Sequence, residues 1–291
     1  MIDLHTHLLW DWDDGPDDRA QARELCKMAE KDGTKAICLT PHLFRANRHG
    51  DDLDLLRRRM VEFDEEMRAA GVGLELHWGA EVYVHAEVVQ AVEKYSFTVD
   101  QTSYVFLEFA ADGVPVGAAG MLAQLMSKGF VPIISHPERN RGFAARPELL
   151  FEFVNMGCAA QVTAASLTGE LGKETRTTAG LFMVNNLVHF IASDAHRTIG
   201  RPPGLSRAVE AASKIVGESK ARAMVTEVPR AILDNKALPD WGEPENPLRH
   251  KTWTQRLLGM PRRTFRAGGG GGGGGSGQRT RSGPTTILKN K

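Results

Sequence analysis

Met1-Ile2-Asp3-Leu4-His5-Thr6-His7 opens the chain. Ile2 and Leu4 alternate with polar neighbours as in a short β-strand, and His5 and His7 lie two apart, so both imidazoles project to one side of the extended backbone. Two nitrogen donors on one side of a strand end can share a metal ion. A His-x-His pair alone is equally a polar strand terminus. Its weight comes from recurrence: His, Asp or Glu stands at or near the end of five of the six later apolar runs.

Working outward, a polar loop from Trp10 to Asp18 carries Asp11, Asp13, Asp14 and Gly15. Asp17 or Asp18 can cap a helix whose Ala22, Leu25, Cys26 and Ala29 fall at helical spacing, and Gly33 stops it. Ala36 to Thr40 reads as a buried strand ending at Pro41-His42. Leu53, Leu56, Met60, Phe63 and Met67 stripe the next helix, closed by Gly71, and a strand from Leu74 to Val82 carries Glu81 near its end. Tyr104 to Leu107 ends at Glu108, Val131 to Ser135 at His136-Pro137-Glu138-Arg139, Cys158 to Thr163 in a further strand, and Val188 to Ala192 at Ser193-Asp194-Ala195-His196. Seven strands alternating with helices argue for a parallel sheet, whose neighbours need crossover connections. An open sheet gathers ligands at one crevice, whereas a barrel collects every strand end around one mouth. Polar residues at nearly every terminus favour a distorted, seven-stranded (β/α)7 TIM-like barrel.

The 291 residues have a net charge of zero, but residues 241–291 hold ten Lys/Arg against two Asp/Glu, which leaves the body at net −8. That charge opposes a nucleic-acid groove, and no apolar run reaches membrane-spanning length. Cys26, Cys38 and Cys158, odd in number and set among apolar neighbours, read as buried free thiols of a reducing compartment, so a cytoplasmic location is expected. The expected catalytic domain spans residues 1–238; residues 239–291 read as a basic, Gly-rich, disordered tail with eight glycines from Gly268 to Gly275. Within it Trp253, Leu257 and Met260 share a helical face.

Collected, the strand-end residues are His5, His7, Asp14, His42, Glu81, Glu108, His136, Asp194 and His196. Carboxylates and imidazoles without thiolates suit Mn, Fe or Zn, and nine donors exceed what one ion uses, so two or three ions are expected. Paired ions are typical of phosphoester hydrolysis. Arg139 and Arg201 follow two of these strand ends; guanidinium groups beside metals suit an anion between them, and Arg45 and Arg48 are weaker candidates for that task. His49, His77, His85, His189 and His250 lack the strand-end placement and are assigned to packing or solvent. A cysteine-dependent phosphatase needs Cys-x5-Arg, but the residues six beyond the three cysteines are Asp32, Phe44 and Ala164.

Asp3-Leu4-His5-Thr6-His7, Asp13-Asp14-Gly15-Pro16, Thr40-Pro41-His42, Gly79-Ala80-Glu81, Glu108, His136-Pro137-Glu138-Arg139 and Ser193-Asp194-Ala195-His196 with Arg201-Pro202-Pro203 resemble the polymerase-and-histidinol-phosphatase (PHP) superfamily. Among its branches they look most like the bacterial capsule-type tyrosine-protein phosphatases, in the same order from Met1 to about Asn235. The resemblance implies a distorted barrel with a three-metal manganese cluster. The first metal would be held by His5, His7, Glu81 and Asp194, the second by Glu81, Glu108 and His136, and the third by Asp14, His42 and His196. Arg139 and Arg201 would hold phosphate, and His42 joins them as a catalytic candidate. The implied substrate is phosphotyrosine in the tail of the tyrosine kinase that controls capsular or extracellular polysaccharide export. The rival within the superfamily is a small-molecule phosphatase acting on a metabolite such as histidinol phosphate. A nuclease-like domain and a non-enzymatic regulatory module are the more distant alternatives.

Overall fold

The computed structural model describes residues 1–45, 48–240 and 242–249. Its strands are β1 (Ile2–Thr6), β2 (Ala36–Leu39), β3 (His42–Leu43), β4 (Glu75–Trp78), β5 (Glu81–Tyr83), β6 (Tyr104–Glu108), β7 (Val131–Ile134), β8 (Ala159–Thr163) and β9 (Phe190–Ala192). All pair in parallel, in the orders β1-β2-β4 and β3-β5-β6-β7-β8-β9. The strand expected from Leu74 to Val82 is therefore two, separated at Gly79-Ala80, and its neighbour breaks at the same level at Thr40-Pro41. Proline has no N–H for the ladder, which explains the interruption in one strand. Backbone bonds nonetheless cross the break, from Gly79 N to Leu39 O at 2.9 Å and from Glu81 N to Pro41 O at 3.1 Å. The free edges approach each other where Asp194 N donates to His5 O at 2.9 Å and His7 N to Ala195 O at 2.8 Å. The result is a curled parallel sheet.

Helices cover its outer side. α1 (Arg19–Lys31) buries the expected Ala22, Leu25, Cys26 and Ala29, with Asp18 rather than Asp17 capping it by accepting from Gln21 N. α2 (Leu53–Ala69) buries Leu56, Phe63 and Met67 and is capped by Asp52. Gly33, just past α1, has φ +96°, a backbone angle that side chains with a Cβ rarely adopt. Most of the apolar core lies between these helices and the sheet, around Leu25, Phe63, Leu122, Phe153 and Phe182. A second cluster of Phe106, Ile133, Ala159 and Phe190 lies under the strand ends. His5 rests on it, its ring 4.9 Å from that of Phe106.

The chain past residue 238 does not leave the body at once. Glu245 N donates to Asn185 O at 2.8 Å, Asn186 Nδ2 to Glu243 O at 3.1 Å, and Pro247 is buried. The helical face of Trp253, Leu257 and Met260, the glycine run and His250 lie outside the described residues. The three cysteines are buried and free; burial pushes the thiols of Cys26 and Cys158 up to about 12 and that of Cys38 higher than usual, so none is a ready nucleophile. No helix among the described residues is long and apolar enough to cross a membrane.

Candidate metal centre

β1 delivers His5 and His7 side by side, with their Nε2 atoms 3.0 Å apart. Glu81 Oε2, at the start of β5, lies 3.4 Å from each of them, and Asp194 Oδ1 lies 3.4 Å from His7 Nε2 and 3.8 Å from His5 Nε2. Metal bonds of about 2.0–2.2 Å put neighbouring donors on one ion ~3 to 3.6 Å apart, so these four atoms have the spacing of a ligand shell. His42, at the start of β3, faces two ways. Its Nδ1 lies 3.1 Å from Glu81 Oε2 and 3.5 Å from Glu108 Oε2, while its Nε2 lies 3.5 Å from Asp14 Oδ1. His196 Nε2 is 3.0 Å from the same Asp14 oxygen, and His136 Nε2 is 3.0 Å from Glu81 Oε1.

All nine sequence-chosen donors are thus in one place, buried except for the half-exposed Asp14. They cluster as His5, His7 and Glu81; His42, Glu81 and Glu108; His7, Asp14, His42 and His196; and His5, His136 and Asp194. Beside the expected partition, His42 Nδ1 stands with Glu81 and Glu108 while its Nε2 faces Asp14, and His136 stands with His5 and Asp194 as well as with Glu81.

The donor set fits divalent cations on electrostatic grounds. Neither oxygen of the fully buried Glu81 accepts a hydrogen bond among the described residues, and Glu108 Oε2, His42 Nδ1 and His196 Nε2 are likewise buried without one. Leaving a buried carboxylate uncompensated costs several kcal/mol or more, so such a group is expected to face a cation. Burial alone would raise the carboxyl of Glu81, but His5 and His136 outweigh it and hold it well below the ordinary carboxylate range. Asp194 is depressed despite its burial by Arg139, His196 and Arg201, and Asp14 despite its own burial by His196 and His42. Burial and the nearby His7 draw His196 down to about 4, so it is a neutral imidazole with a free lone pair at neutral pH.

Two guanidinium groups close the mouth. Arg139 Nη1 pairs with Asp194 Oδ2, and Arg201 reaches Asp194 Oδ2 at 3.8 Å and Asp14 Oδ2 at 3.6 Å. About a quarter of each side chain stays exposed (28% and 24%), so both can meet a ligand entering from solvent. Arg45 also reaches the cluster, pairing with Glu108 and lying 3.4 Å from His42 Nε2; Arg48 instead pairs with Asp17 at the surface.

Asp13, quoted in sequence only as part of a motif, has a part of its own. Its Oδ2 lies 3.0 Å from His7 Nδ1 and accepts from His42 N at 3.0 Å, fixing two donors at once. Burial raises its carboxyl, but His7 and His42 together bring it down to about 2. The histidines set aside in sequence stay outside the cluster among the described residues: His77 faces Asp100, His49 the backbone of Asp11, His85 the ring of Phe44, and His189 accepts from Ala160 N.

A family model for capsular polysaccharide synthesis, CpsB/CapC, matches residues 1–234. A putative tyrosine-protein phosphatase CapC of Staphylococcus aureus is 33% identical over 203 residues, 69% of this chain and 79% of the relative. Tyrosine-protein phosphatase YwqE of Bacillus subtilis (strain 168) is 31% identical over 252 residues, 86% of this chain and 98% of the relative. A solved structure described among those of YwqE from Bacillus subtilis and CpsB from Streptococcus pneumoniae, unique metal-dependent tyrosine phosphatases, superposes with a TM-score of 0.80 at 32% identity, covering 84% of this chain and 99% of that one. The match spans the strands that carry all nine donors as well as both mouth arginines, and the chain belongs to the CpsB/CapC family.

Proposed function

We propose that this chain is a metal-dependent protein-tyrosine phosphatase acting in capsular or extracellular polysaccharide synthesis, with phosphotyrosine on a bacterial tyrosine kinase as its substrate. The observation that carries this reading is the buried cluster of nine imidazole and carboxylate donors with Arg139 and Arg201 at its rim. The relatives' names, which specify tyrosine phosphatases and metal dependence, support the same reaction. Manganese, two or three ions per chain, suits the mixed nitrogen and oxygen donors. Taking β2 with β3 and β4 with β5 as single interrupted strands gives the distorted seven-stranded barrel of the PHP fold, its edges meeting at Thr6 and Ala195.

His5, His7, Glu81 and Asp194 would hold one ion, His42, Glu81 and Glu108 a second, and His7, Asp14, His42 and His196 the surroundings of a third, with His136 shared through Glu81 and Asp194. Bound divalent ions supply Lewis acidity and a water-derived nucleophile at neutral pH. Arg139 and Arg201 orient the phosphoryl group, each guanidinium offering parallel N–H donors to its oxygens. Asp13 keeps the His7 ring turned so that Nε2 faces the cluster. A tyrosyl leaving group, with a pKa of about 10, needs less proton donation than an alkyl alcohol, and no buried general acid has to be assigned to it. Phosphotyrosine and phosphoserine peptides assayed side by side with Mn2+ test the proposal, together with a panel of metabolite phosphates. Selective hydrolysis of the phosphotyrosine peptide, abolished by EDTA, is the expected result; equal rates on phosphoserine, or a metabolite turned over far faster, would reject it.

A further inference from the structure

When β2 is joined with β3 and β4 with β5, β8 is the strand that supplies no candidate ligand: it ends at Thr163, with neither His, Asp nor Glu. Its middle residue is a fully buried glutamine, and alternation along the strand puts Ala159, Gln161 and Thr163 on one face. Gln161 Oε1 accepts a hydrogen bond from the backbone N of His136 at 3.0 Å and lies 3.3 Å from Nδ1 of His5. Its amide nitrogen turns the other way, 3.4 Å from Thr163 Oγ1. One neutral oxygen thus meets the ring of His5, from β1, and the backbone of His136, just past β7.

We propose that Gln161 is a positioning residue of the metal centre, its amide oxygen fixing the ring tautomer of His5 and the backbone of His136. The proposal rests on the metal-centre reading above. The chemistry follows from the donor at His136. A backbone N–H can only donate, so the atom it faces is the carbonyl oxygen of the amide and not its NH2 group. The His5 nitrogen facing that same oxygen must then carry the hydrogen. A neutral imidazole has one, so His5 Nε2 is left with a bare lone pair, 3.0 Å from His7 Nε2 and 3.4 Å from Glu81 Oε2. His136 needs help of a different kind. Its backbone sits at φ 31° and ψ 55°, in the left-handed region that is uncommon for a residue with a side chain, and the bond from its N–H to Gln161 holds it there.

The two histidines of β1 are therefore backed differently: His7 by the carboxylate of Asp13, and His5 by a neutral amide. A carboxylate behind a ligating imidazole makes it a stronger base, whereas an amide orients it without adding charge. In a cluster already holding Asp13, Asp14, Glu81, Glu108 and Asp194, the neutral partner directs His5 while adding no further buried anion.

Gln161→Leu removes the acceptor and leaves an apolar side chain one atom shorter, and Gln161→Glu restores an acceptor. Each is compared with the parent by Mn2+ titration of the chelator-stripped protein, by bound-metal content after dialysis, and by thermal unfolding of the stripped protein. The assignment expects Gln161→Leu to weaken Mn2+ binding roughly 10- to 100-fold, as for other partners behind metal ligands. Gln161→Glu should stay within about threefold of the parent on the same scale. A folded Gln161→Leu protein that binds Mn2+ as the parent does would overturn it, leaving Gln161 a merely structural residue. If Gln161→Leu does not unfold cooperatively, Gln161→Asn, which draws the acceptor back by one methylene, is measured instead, with the same two outcomes. A parent protein that binds no Mn2+ would overturn the metal-centre reading itself, a result separate from one in which the parent binds and Gln161→Leu is unchanged.

Discussion

Arg139 shows how a single residue separates two jobs. It pairs with Asp194 through one guanidinium nitrogen yet keeps a quarter of its side chain exposed at the mouth. Removing it would take away the proposed contact to phosphate and no proposed donor to metal. Hydrogen bonds to a charged group are worth roughly 1.5–3 kcal/mol, so Arg139→Ala should raise KM for a phosphotyrosine peptide about 10- to 100-fold with bound-metal content unchanged. Asp194→Ala should behave in the opposite way, losing metal and turnover together, because its carboxylate touches His5, His7 and His196 as well as the arginines. Metal analysis beside steady-state kinetics on the two variants checks the distinction. Away from the site, His189 carries a pH signature. Burial first, and then Lys220, lower it from its ordinary value to about 4, so the unfolded chain binds its proton more tightly than the folded one. The stability that its neutral ring contributes is present above pH ~6.5 and is lost as pH falls toward ~4, an effect on the order of 3 kcal/mol. His189→Asn keeps an acceptor for Ala160 N without the titration, so its urea-unfolding free energy should fall less steeply over that pH window.

At the scale of elements, the loop after β1 is built tightly against the strand it leaves. A Cβ on Gly15 would sit 2.1 Å from the carbonyl oxygen of His7, so the loop that aims Asp13 and Asp14 has no room for a side chain there. Gly15→Ala should cost about 1–3 kcal/mol in denaturant unfolding and should weaken metal binding by moving both aspartates; a variant of unchanged stability and metal content would contradict the packing. This loop also marks the limit of what was legible in sequence. Ligands at strand ends stood out because an apolar run stops at a histidine or carboxylate, as at His42, Glu108 and Asp194. Asp14 was among the donors chosen, but the supporting part of Asp13 did not stand out, because nothing in the sequence shows that its side chain is turned inward to His7 while that of Asp14 faces His196. Gln161 left even less trace, a neutral residue in mid-strand whose importance depends on which backbone N–H lies across from it. The break at Gly79-Ala80 was also hidden, since the strand pattern from Leu74 to Val82 runs straight through it, whereas Pro41 marks the neighbouring break in the sequence.

Over the whole molecule, helices and sheet form an apolar scaffold whose strand ends share one polar mouth. Histidines and arginines hold Asp14, Glu81 and Asp194 ionised there, and buried oxygens of Glu81 and Glu108 accept no hydrogen bond among the described residues, so the scaffold is arranged around a cluster suited to cations. Ions that bind the folded chain and not the unfolded one should stabilise it by about 2.7 kcal/mol at a hundredfold excess over Kd for each site. Chelation should therefore lower the unfolding temperature, and Mn2+ should restore it. Composition sets 239–249 apart from the body, and within that stretch Glu245 is tied to Asn185 through the backbone, a contact that composition cannot register. The decisive measurement counts ions and turnover on one preparation, by elemental analysis and phosphotyrosine-peptide hydrolysis before chelation, after chelation and after Mn2+ return. Two or three divalent ions per chain are expected, removed and regained in step with activity. Full hydrolysis by a chain stripped of its ions, or an active chain that never held any, would contradict that expectation.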